Sequence, residues 1–343
     1  MGLLPEQSFT VRNPAWWDLG AVFDLDHYPG KEEAMQRAGH AWNVVTAPFR
    51  VELSNDLLAG AGQDTNPNGA GKLRATAGWQ VHMRSDNLEV LHVHQDSFAE
   101  IDNSIAYEVA ELLFDQGFLF ESGGTIGGGK LNYLTLKLIE PIMIKGDDSV
   151  VLPFGSLSWG HTGNAALRCR TGTIRQVCQN TVRASEMEGE ALGTDFTFRH
   201  TKNWRDKVED AKQAVRGARQ ELDIYRQMAE ELAAITVTPS QRDLFVSEII
   251  GDKNGVVSYS TSVSDRVKSN IETERAKVNA LFFGPTIPEA HKLTAYGLHC
   301  AGVEYFDHLR NFRSKESYVK RTLLTDNPAK ASLVRTIREL VAA

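Results

Sequence analysis

Four arginines that lie close together are the residues in this sequence best suited to bind a charged ligand. Arg168, Arg170, Arg175 and Arg183 fall within residues 161–185, which contain no Asp or Glu although the chain has a formal net charge of −7. A guanidinium is always charged and its planar donors match phosphate and carboxylate oxygens, so several on one surface suit a polyanion. Arginines also pair with carboxylates of their own chain, and 44 acidic residues are present. The lack of a local acid favours the polyanion site.

The local pattern predicts how these arginines are presented. Arg168 and Arg170 are two residues apart in a β-type alternation, which places both on one face of a strand. Gly172 is expected to end that strand. The following residues, up to Glu186, are interpreted as a short helix that begins at Thr171 or Thr173.

Neighbouring polar residues extend the predicted surface. Asn180 would position a sugar or base edge, and Trp79 is a candidate platform for base stacking, with core packing as the alternative. Binding would depend on counterion release and would weaken steeply with salt. The complete predicted nucleic-acid-binding set is Arg168, Arg170, Arg175, Asn180, Arg183, Arg199, His200 and Lys202.

A second hypothesis from another class is a metal-dependent nucleic-acid-processing enzyme. His92 and His94 alternate in a strand and Asp96 continues the same face, so the three are candidate metal ligands. The alternative is a half-exposed histidine pair without a metal. The glycines at positions 127 to 129 lack phosphate-loop spacing and predict a hairpin turn. No catalytic residue and no cofactor is assigned.

Composition restricts the class of protein. A chain of 343 residues, 42% hydrophobic, can form two domains, and a pI near 5.8 argues against nonspecific coating of duplex DNA. Three cysteines without a CxxC pair favour a reducing cytoplasm. The first residues do not resemble a secretory signal, and no apolar run approaches a membrane span.

Periodicity predicts an α+β fold in two parts. Residues 1–201 are predicted to form a sheet-containing domain, in which packed helices flank an antiparallel β-meander. Residues 54–72 are rich in Gly, Asn and Asp and are expected to be a mobile loop. Residues 202–343 are predicted to be helical, with a long helix whose apolar residues follow a heptad pattern and pack on the same chain or on a partner subunit. Those residues are Trp204, Val208, Ala211, Val215, Ala218, Leu222 and Tyr225.

Several motifs together resemble a known family. The segments PAWWDLG, LEVLHVHQDSF, SWGHTGNAAL, IRQVCQNTVRAS, FRHTKN and YGLHCAGVEYFDHLR are similar to those of the phage/plasmid-like proteins called domain of unknown function 932. Trp17 stands where that family usually has a histidine, and His161-Thr162-Gly163 replaces an acidic HDG. The resemblance implies a phage or mobile-element origin and a bacterial cytoplasm.

A broader similarity suggests a function. A helix, an antiparallel meander and a second helix resemble the core of the phage single-strand annealing superfamily, which includes Red-beta and RecT proteins; this is an analogy of fold. The leading hypothesis is therefore a phage-encoded, homo-oligomeric single-stranded DNA-binding protein, with strand annealing as a more specific form. The third alternative is a structural or host-interaction protein without nucleic-acid activity.

Overall fold

The chain folds as a mixture of helices and strands, which confirms the predicted α+β class. The computed structural model describes residues 7–11, 23–62, 72–163, 165–175, 180–183, 196–200, 218–252, 262–310 and 327–342. The strands are β1 Gln7–Val11, β2 Phe23–Leu25, β3 Val44–Leu53, β4 Lys72–Arg84, β5 Val90–Gln95, β6 Phe118–Ile126, β7 Leu131–Leu138, β8 Ile142–Ile144, β9 Asp147–Gly160, β10 Leu167–Arg175, β11 Asn180–Arg183 and β12 Phe196–Phe198. The helices are α1 Lys31–Ala38, α2 Asn55–Gly60, α3 Asn103–Phe114, α4 Ala218–Ala234, α5 Pro239–Ile249, α6 Asp265–Phe283, α7 Ala295–Glu304, α8 Pro328–Ala331 and α9 Leu333–Ala342.

A large sheet forms the centre of the fold. Its strands follow the order β11-β10-β9-β7-β6-β1-β2, with β12 paired to β10 and β8 paired to β9. Helices α1 and α3 pack on one face, where Leu134, Leu136 and Leu157 join the core. The opposite face is polar: Lys137 Nζ lies 3.1 Å from Glu121 Oε1, and the Ser122 and Thr135 hydroxyls are 2.7 Å apart.

The glycines between β6 and β7 form the expected hairpin turn. Gly127, Gly128 and Gly129 all have positive φ, a conformation that glycine adopts without steric cost. The turn lies against the second sheet, because a Cβ at Gly129 would come within 2.6 Å of Trp42 Cζ2. Arg84 Nη1 also donates a hydrogen bond to the Gly128 carbonyl at 3.2 Å.

The second sheet has three strands in the order β3-β4-β5. Its strands agree with the alternation over residues 73–85 and 89–98. The predicted loop over residues 54–72 is wrong in part, because residues 55–60 form helix α2, capped by Ser54 Oγ accepting from the Leu57 N–H. The loop prediction for residues 63–71 lies outside the described residues.

The C-terminal helices form a second apolar core and pack on the large sheet. Helix α4 contacts β8, β10 and α7, and its buried side chains include Tyr225, Met228 and Leu232. The described part of the predicted heptad helix therefore packs on its own chain, while residues 201–217 lie outside the described residues. Helix α5 begins with a capping box, in which Thr238 and Gln241 bond to each other's backbone N–H groups.

Helix α7 is flanked by a 3₁₀ turn, Glu289–His291, and by a π-helical end, Tyr305–Leu309. One prediction of a helix needs correction. The helix expected from Thr171 or Thr173 is wrong for the described residues, since β10 continues to Arg175 and residues 180–183 form β11. No helix in the described ranges is long and apolar enough to span a membrane.

Candidate nucleic-acid interface

Three motif segments that are far apart in sequence meet at the junction of the two sheets. Strand β5 and the residues after it supply His92, His94 and Phe98, and His200 follows β12. The Phe98 ring stacks on the His200 ring at 4.4 Å with an interplanar angle of 13°, and the His94 ring is 4.9 Å from Phe98. With His82, whose ring centroid lies 4.0 Å from that of His94, these residues form what we call the imidazole cluster.

His200 connects the cluster to both sheets. Its Nδ1 lies 2.9 Å from the Ala99 carbonyl and its Nε2 lies 2.8 Å from the Gly160 carbonyl, and a neutral ring donates to one of them. The Ala99 N–H donates in turn to the His200 carbonyl at 3.2 Å. His200 was predicted to extend a groove for nucleic acid, whereas its ring nitrogens face the carbonyls of its own chain.

His82, His92 and His200 of the imidazole cluster add little positive charge at neutral pH, because the pKa of each is lowered. Burial, together with the other imidazoles, lowers the pKa of His82 to about 4 and lowers that of His92. Burial also lowers the pKa of His200, although hydrogen bonds to backbone carbonyls oppose the shift. Attraction for a polyanion must therefore come from arginine and lysine.

Asn103 is buried and forms hydrogen bonds to backbone carbonyls near the imidazole cluster, and the sequence analysis did not identify it. The Asn103 amide nitrogen donates to the His40 and Trp42 carbonyls at 3.2 and 3.0 Å. Its Oδ1 accepts from Trp159 Nε1 at 2.8 Å and from His161 Nε2 at 3.0 Å. Burial lowers the pKa of His161 to about 3, so that ring is neutral. In the sequence, an Asn directly after Asp102 at the start of a helix is typical of ordinary helix capping. Nothing in the sequence therefore indicated that the Asn103 side chain would form buried hydrogen bonds to distant residues.

The predicted metal ligands do not assemble into a site. His94 Nδ1 donates to the Gln95 carbonyl at 2.8 Å, and its buried Nε2 has no hydrogen-bond partner among the described residues. Asp96 is exposed, whereas the His94 side chain is buried at 4% exposure. Across the residues that the structure describes, no three His, Cys, Asp or Glu side chains are placed to hold a metal ion. The His92, His94 and Asp96 hypothesis therefore gains no support.

Arg175 corrects the prediction that four arginines share one accessible surface. It is 3% exposed, and its Nε and Nη2 donate to Asp147 Oδ2 and Oδ1 at 2.7 and 3.1 Å. Its Nη1 also donates to the Thr286 carbonyl. The register of β10 with β9 is unbroken from Arg168 to Arg175, so side chains alternate regularly between the two faces of the sheet. Arg175 is an odd number of residues from Arg168, and the two side chains therefore lie on opposite faces. Arg175 is thus a buried structural residue.

Arg170 is also withdrawn from solvent. It pairs in register with Ser156 of β9, which pairs with Thr135 of β7, so it lies on the polar face of the large sheet. Its side chain is 7% exposed. Arg170 therefore cannot contact a ligand at the surface unless its covering moves.

Arg168 and Arg199 are the predicted arginines that remain accessible. Arg168 is half-buried and pairs in register with Thr197 of β12, two residues before the exposed Arg199. Neither side chain forms an ion pair within the described part of the chain. The backbones of Asn180 and Arg183 lie on β11, but their side chains, and all of Lys202, are outside the described residues. Two of the eight predicted residues, the half-buried Arg168 and the exposed Arg199, thus remain accessible to solvent beside β10 and β12.

Comparison with known proteins identifies a family without a described activity. A search among curated proteins found no match, and a search among solved structures found none either. The family described as "Domain of unknown function (DUF932)" matches residues 90–325, which include every member of the imidazole cluster except His82, together with Asn103 and all four arginines of the 161–185 stretch. That match covers more than half of the sequence, so the chain belongs to the DUF932 family.

Proposed function

We propose that this protein binds single-stranded nucleic acid through the phosphate backbone, with Arg168 and Arg199 as the accessible anchors. The observation that carries the proposal is that two solvent-accessible guanidiniums, beside β10 and β12, form no ion pair with any described residue of a chain whose net charge is −7. Several arginines elsewhere pair with carboxylates, including Arg242 with Asp243 at 3.0 Å. Unpaired guanidiniums in an acidic protein suit a local anion site.

The surroundings of the two arginines favour a backbone contact over recognition of bases. The neighbouring imidazoles are held by one another, by Phe98 and by backbone carbonyls, and His82 is neutral near pH 7 because its pKa is about 4. A strand held through phosphates would be bound with little dependence on its sequence. Assembly into oligomers, strand annealing and a phage origin are wider predictions that accompany this proposal.

The proposal is tested by fluorescence anisotropy with a labelled single-stranded oligonucleotide at several salt concentrations. Replacing both Arg168 and Arg199 by Ala should weaken binding by about tenfold or more, because charged hydrogen bonds contribute about 1.5–3 kcal/mol each. The slope of log affinity against log salt should fall by about 1.4, since each single-strand phosphate contact contributes about 0.7.

The matched control removes the same charge at a distant position. Arg266 of α6 and Arg335 of α9 are exposed, and the Arg266→Ala, Arg335→Ala double variant should bind like the wild type. If the Arg168→Ala, Arg199→Ala variant bound the oligonucleotide with wild-type affinity, the assignment of these two arginines as anchors would be refuted. No binding by the wild-type protein would refute the function itself.

A further inference from the structure

The small sheet, β3-β4-β5, makes little apolar contact with the large sheet. Among the described residues, the buried apolar cluster at the junction of the two sheets has three members, Trp42, Val44 and Leu91. Packed layers of secondary structure are normally held together by a larger apolar core. Other groups at the junction must therefore contribute much of the attachment.

The imidazole cluster fills the same junction. His82 and His94 lie on the side of the small sheet that faces the large sheet, and they are 3% and 4% exposed. The Phe98 ring lies 5.7 Å from that of His82 and stacks on the His200 ring at 4.4 Å. His200 Nε2 lies 2.8 Å from the Gly160 carbonyl at the end of β9, in the large sheet. The rings therefore form a continuous connection between the two sheets.

We propose that the imidazole cluster is a pH-sensitive switch: its neutral rings hold the small sheet on the large sheet, and their protonation separates the two sheets. Neutral rings at a centroid distance of 4.0 Å, as in His82 and His94, attract one another through van der Waals contact. Two charged rings at that distance repel each other, and burial strengthens the repulsion. The switch goes beyond the proposed nucleic-acid binding and does not depend on it.

The imidazoles of the cluster have no acidic partner in the part of the chain that the structure describes. None of them forms an ion pair with a carboxylate there, and the charges that lower the pKa of His82, His92 and His200 are those of the other imidazoles. Each proton that one ring accepts therefore makes the next protonation less favourable while the sheets remain in contact. Separation of the sheets relieves this repulsion and returns the charged rings to water.

Charged groups on the surrounding elements do not neutralise the cluster. His161, directly after β9, is a further imidazole, and burial and the neighbouring positive groups lower its pKa to about 3. Arg84 of β4 is a permanent cation that pairs with Asp86 at 2.7 Å. Burial raises the pKa of Glu100 and Asp102, which precede α3 and which favour the protonated form more than exposed acids do. The other titratable or charged groups on these elements are His40, Glu89, Asp96, Lys130 and Arg199.

The pH range of the switch follows from His82. Burial and the other imidazoles lower the pKa of His82 to about 4, whereas an exposed imidazole has a pKa of about 6.5. The stability that this ring contributes is therefore complete above about pH 6.5 and is lost as the pH falls toward 4. At pH 5, His82 alone should make the equilibrium constant for separation of the sheets about 25-fold larger than at pH 7.5.

Hydroxyl-radical footprinting at pH 7.5 and pH 5, with oxidation measured by mass spectrometry, tests the switch. Trp42 is 4% exposed at the junction and reports separation of the sheets, while Phe118 is 1% exposed at the far end of the β6–β7 hairpin and is the internal control. Oxidation of Trp42 should increase by about tenfold or more at pH 5, with Phe118 still protected. Equal increases at the two residues would show global unfolding and would overturn the proposal, as would a Trp42 that stays protected.

Histidine variants assign the effect to the cluster. His82→Phe removes one titrating ring and keeps an aromatic contact with Phe98, so the increase in Trp42 oxidation at pH 5 should be smaller by about tenfold or more. His92→Gln, at a half-buried position, should also reduce the increase and serves if His82→Phe does not fold. The control His27→Gln removes an exposed imidazole outside the cluster and should respond like the wild type. An unchanged increase in the folded cluster variants would overturn the proposal, and none of these outcomes depends on oligonucleotide binding.

Discussion

Removal of the Arg175 guanidinium should damage the fold more than any other loss of a single charge considered above. The ion pair with Asp147 is fully desolvated, since the two side chains are 3% and 0% exposed. The Tyr296 hydroxyl also donates to Asp147 Oδ2 at 3.1 Å, and Arg175 reaches the Thr286 carbonyl. The pair therefore joins β9 and β10 to the C-terminal helices.

The expected loss of stability in Arg175→Ala depends on which partners the Asp147 carboxylate keeps. Burial alone raises the pKa of the Asp147 carboxyl, but the hydrogen bonds and charge of Arg175 outweigh it and the pKa is lowered. Arg175→Ala would leave a buried carboxylate with only a hydroxyl and the Ser149 N–H as partners. Breaking a buried pair in this way costs about 3–5 kcal/mol, a large part of a total of about 5–15 kcal/mol.

The assay is urea unfolding at neutral pH, followed by circular dichroism and tryptophan fluorescence. Arg168→Ala is the matched control because it lies in the same strand without an ion pair, and it should change stability by no more than about 0.5 kcal/mol. In Arg175→Ala the folded state favours protonated Asp147, so the deficit should shrink as the pH falls toward 4. A loss below about 1 kcal/mol, or equal losses in the two variants, would refute the reasoning.

Two further predictions concern the buried histidines and Asn103. Burial lowers the pKa of His40 and His161 to about 3, below the unfolded value of about 6.5, so stability present above that value should be lost as the pH falls, by about 2 kcal/mol for each ring at pH 5. Equal urea midpoints at pH 7.5 and pH 5 would contradict this prediction. Asn103→Ala should cost about 3 kcal/mol or more because Trp159 and His161 lose their buried acceptor, whereas Asn43→Ala, at an exposed position, should be nearly neutral in the same measurement.

The parts of the fold that the sequence predicts are those with local causes. Glycines at 127 to 129 require positive φ, and the alternation over 73–85 and 89–98 marks strands with two different faces. Thr238 and Gln241 have the spacing of a capping box, which indicates the start of a helix. Each of these signals acts within a few residues, so no knowledge of the tertiary structure is needed.

Residues 171–175 and 180–183 were misread as helix because tertiary contacts decide their conformation. Thr171, Thr173 and Arg175 are all buried, and Arg170 on the opposite face of β10 is buried as well, so the period-two contrast of a half-exposed strand is missing. Arg175 pairs with Asp147, which lies 28 residues earlier in the chain. The absence of acidic residues near Arg175 in the sequence gave no indication of this partner. The candidate site was likewise assembled from distant segments, since the contacts of His200 with Ala99 and Phe98 span about a hundred residues.

The turn between β6 and β7 has a consequence for the order in which the chain folds. Trp42 packs against Gly129, and Arg84 donates to the Gly128 carbonyl, so the small sheet attaches to backbone positions that exist only after this hairpin has closed. Hairpins form within about 1–10 μs, long before distant segments meet. Local closure of Phe118–Leu138 should therefore precede docking of the small sheet, and a mutation that slows this turn should delay burial of Trp42 as well.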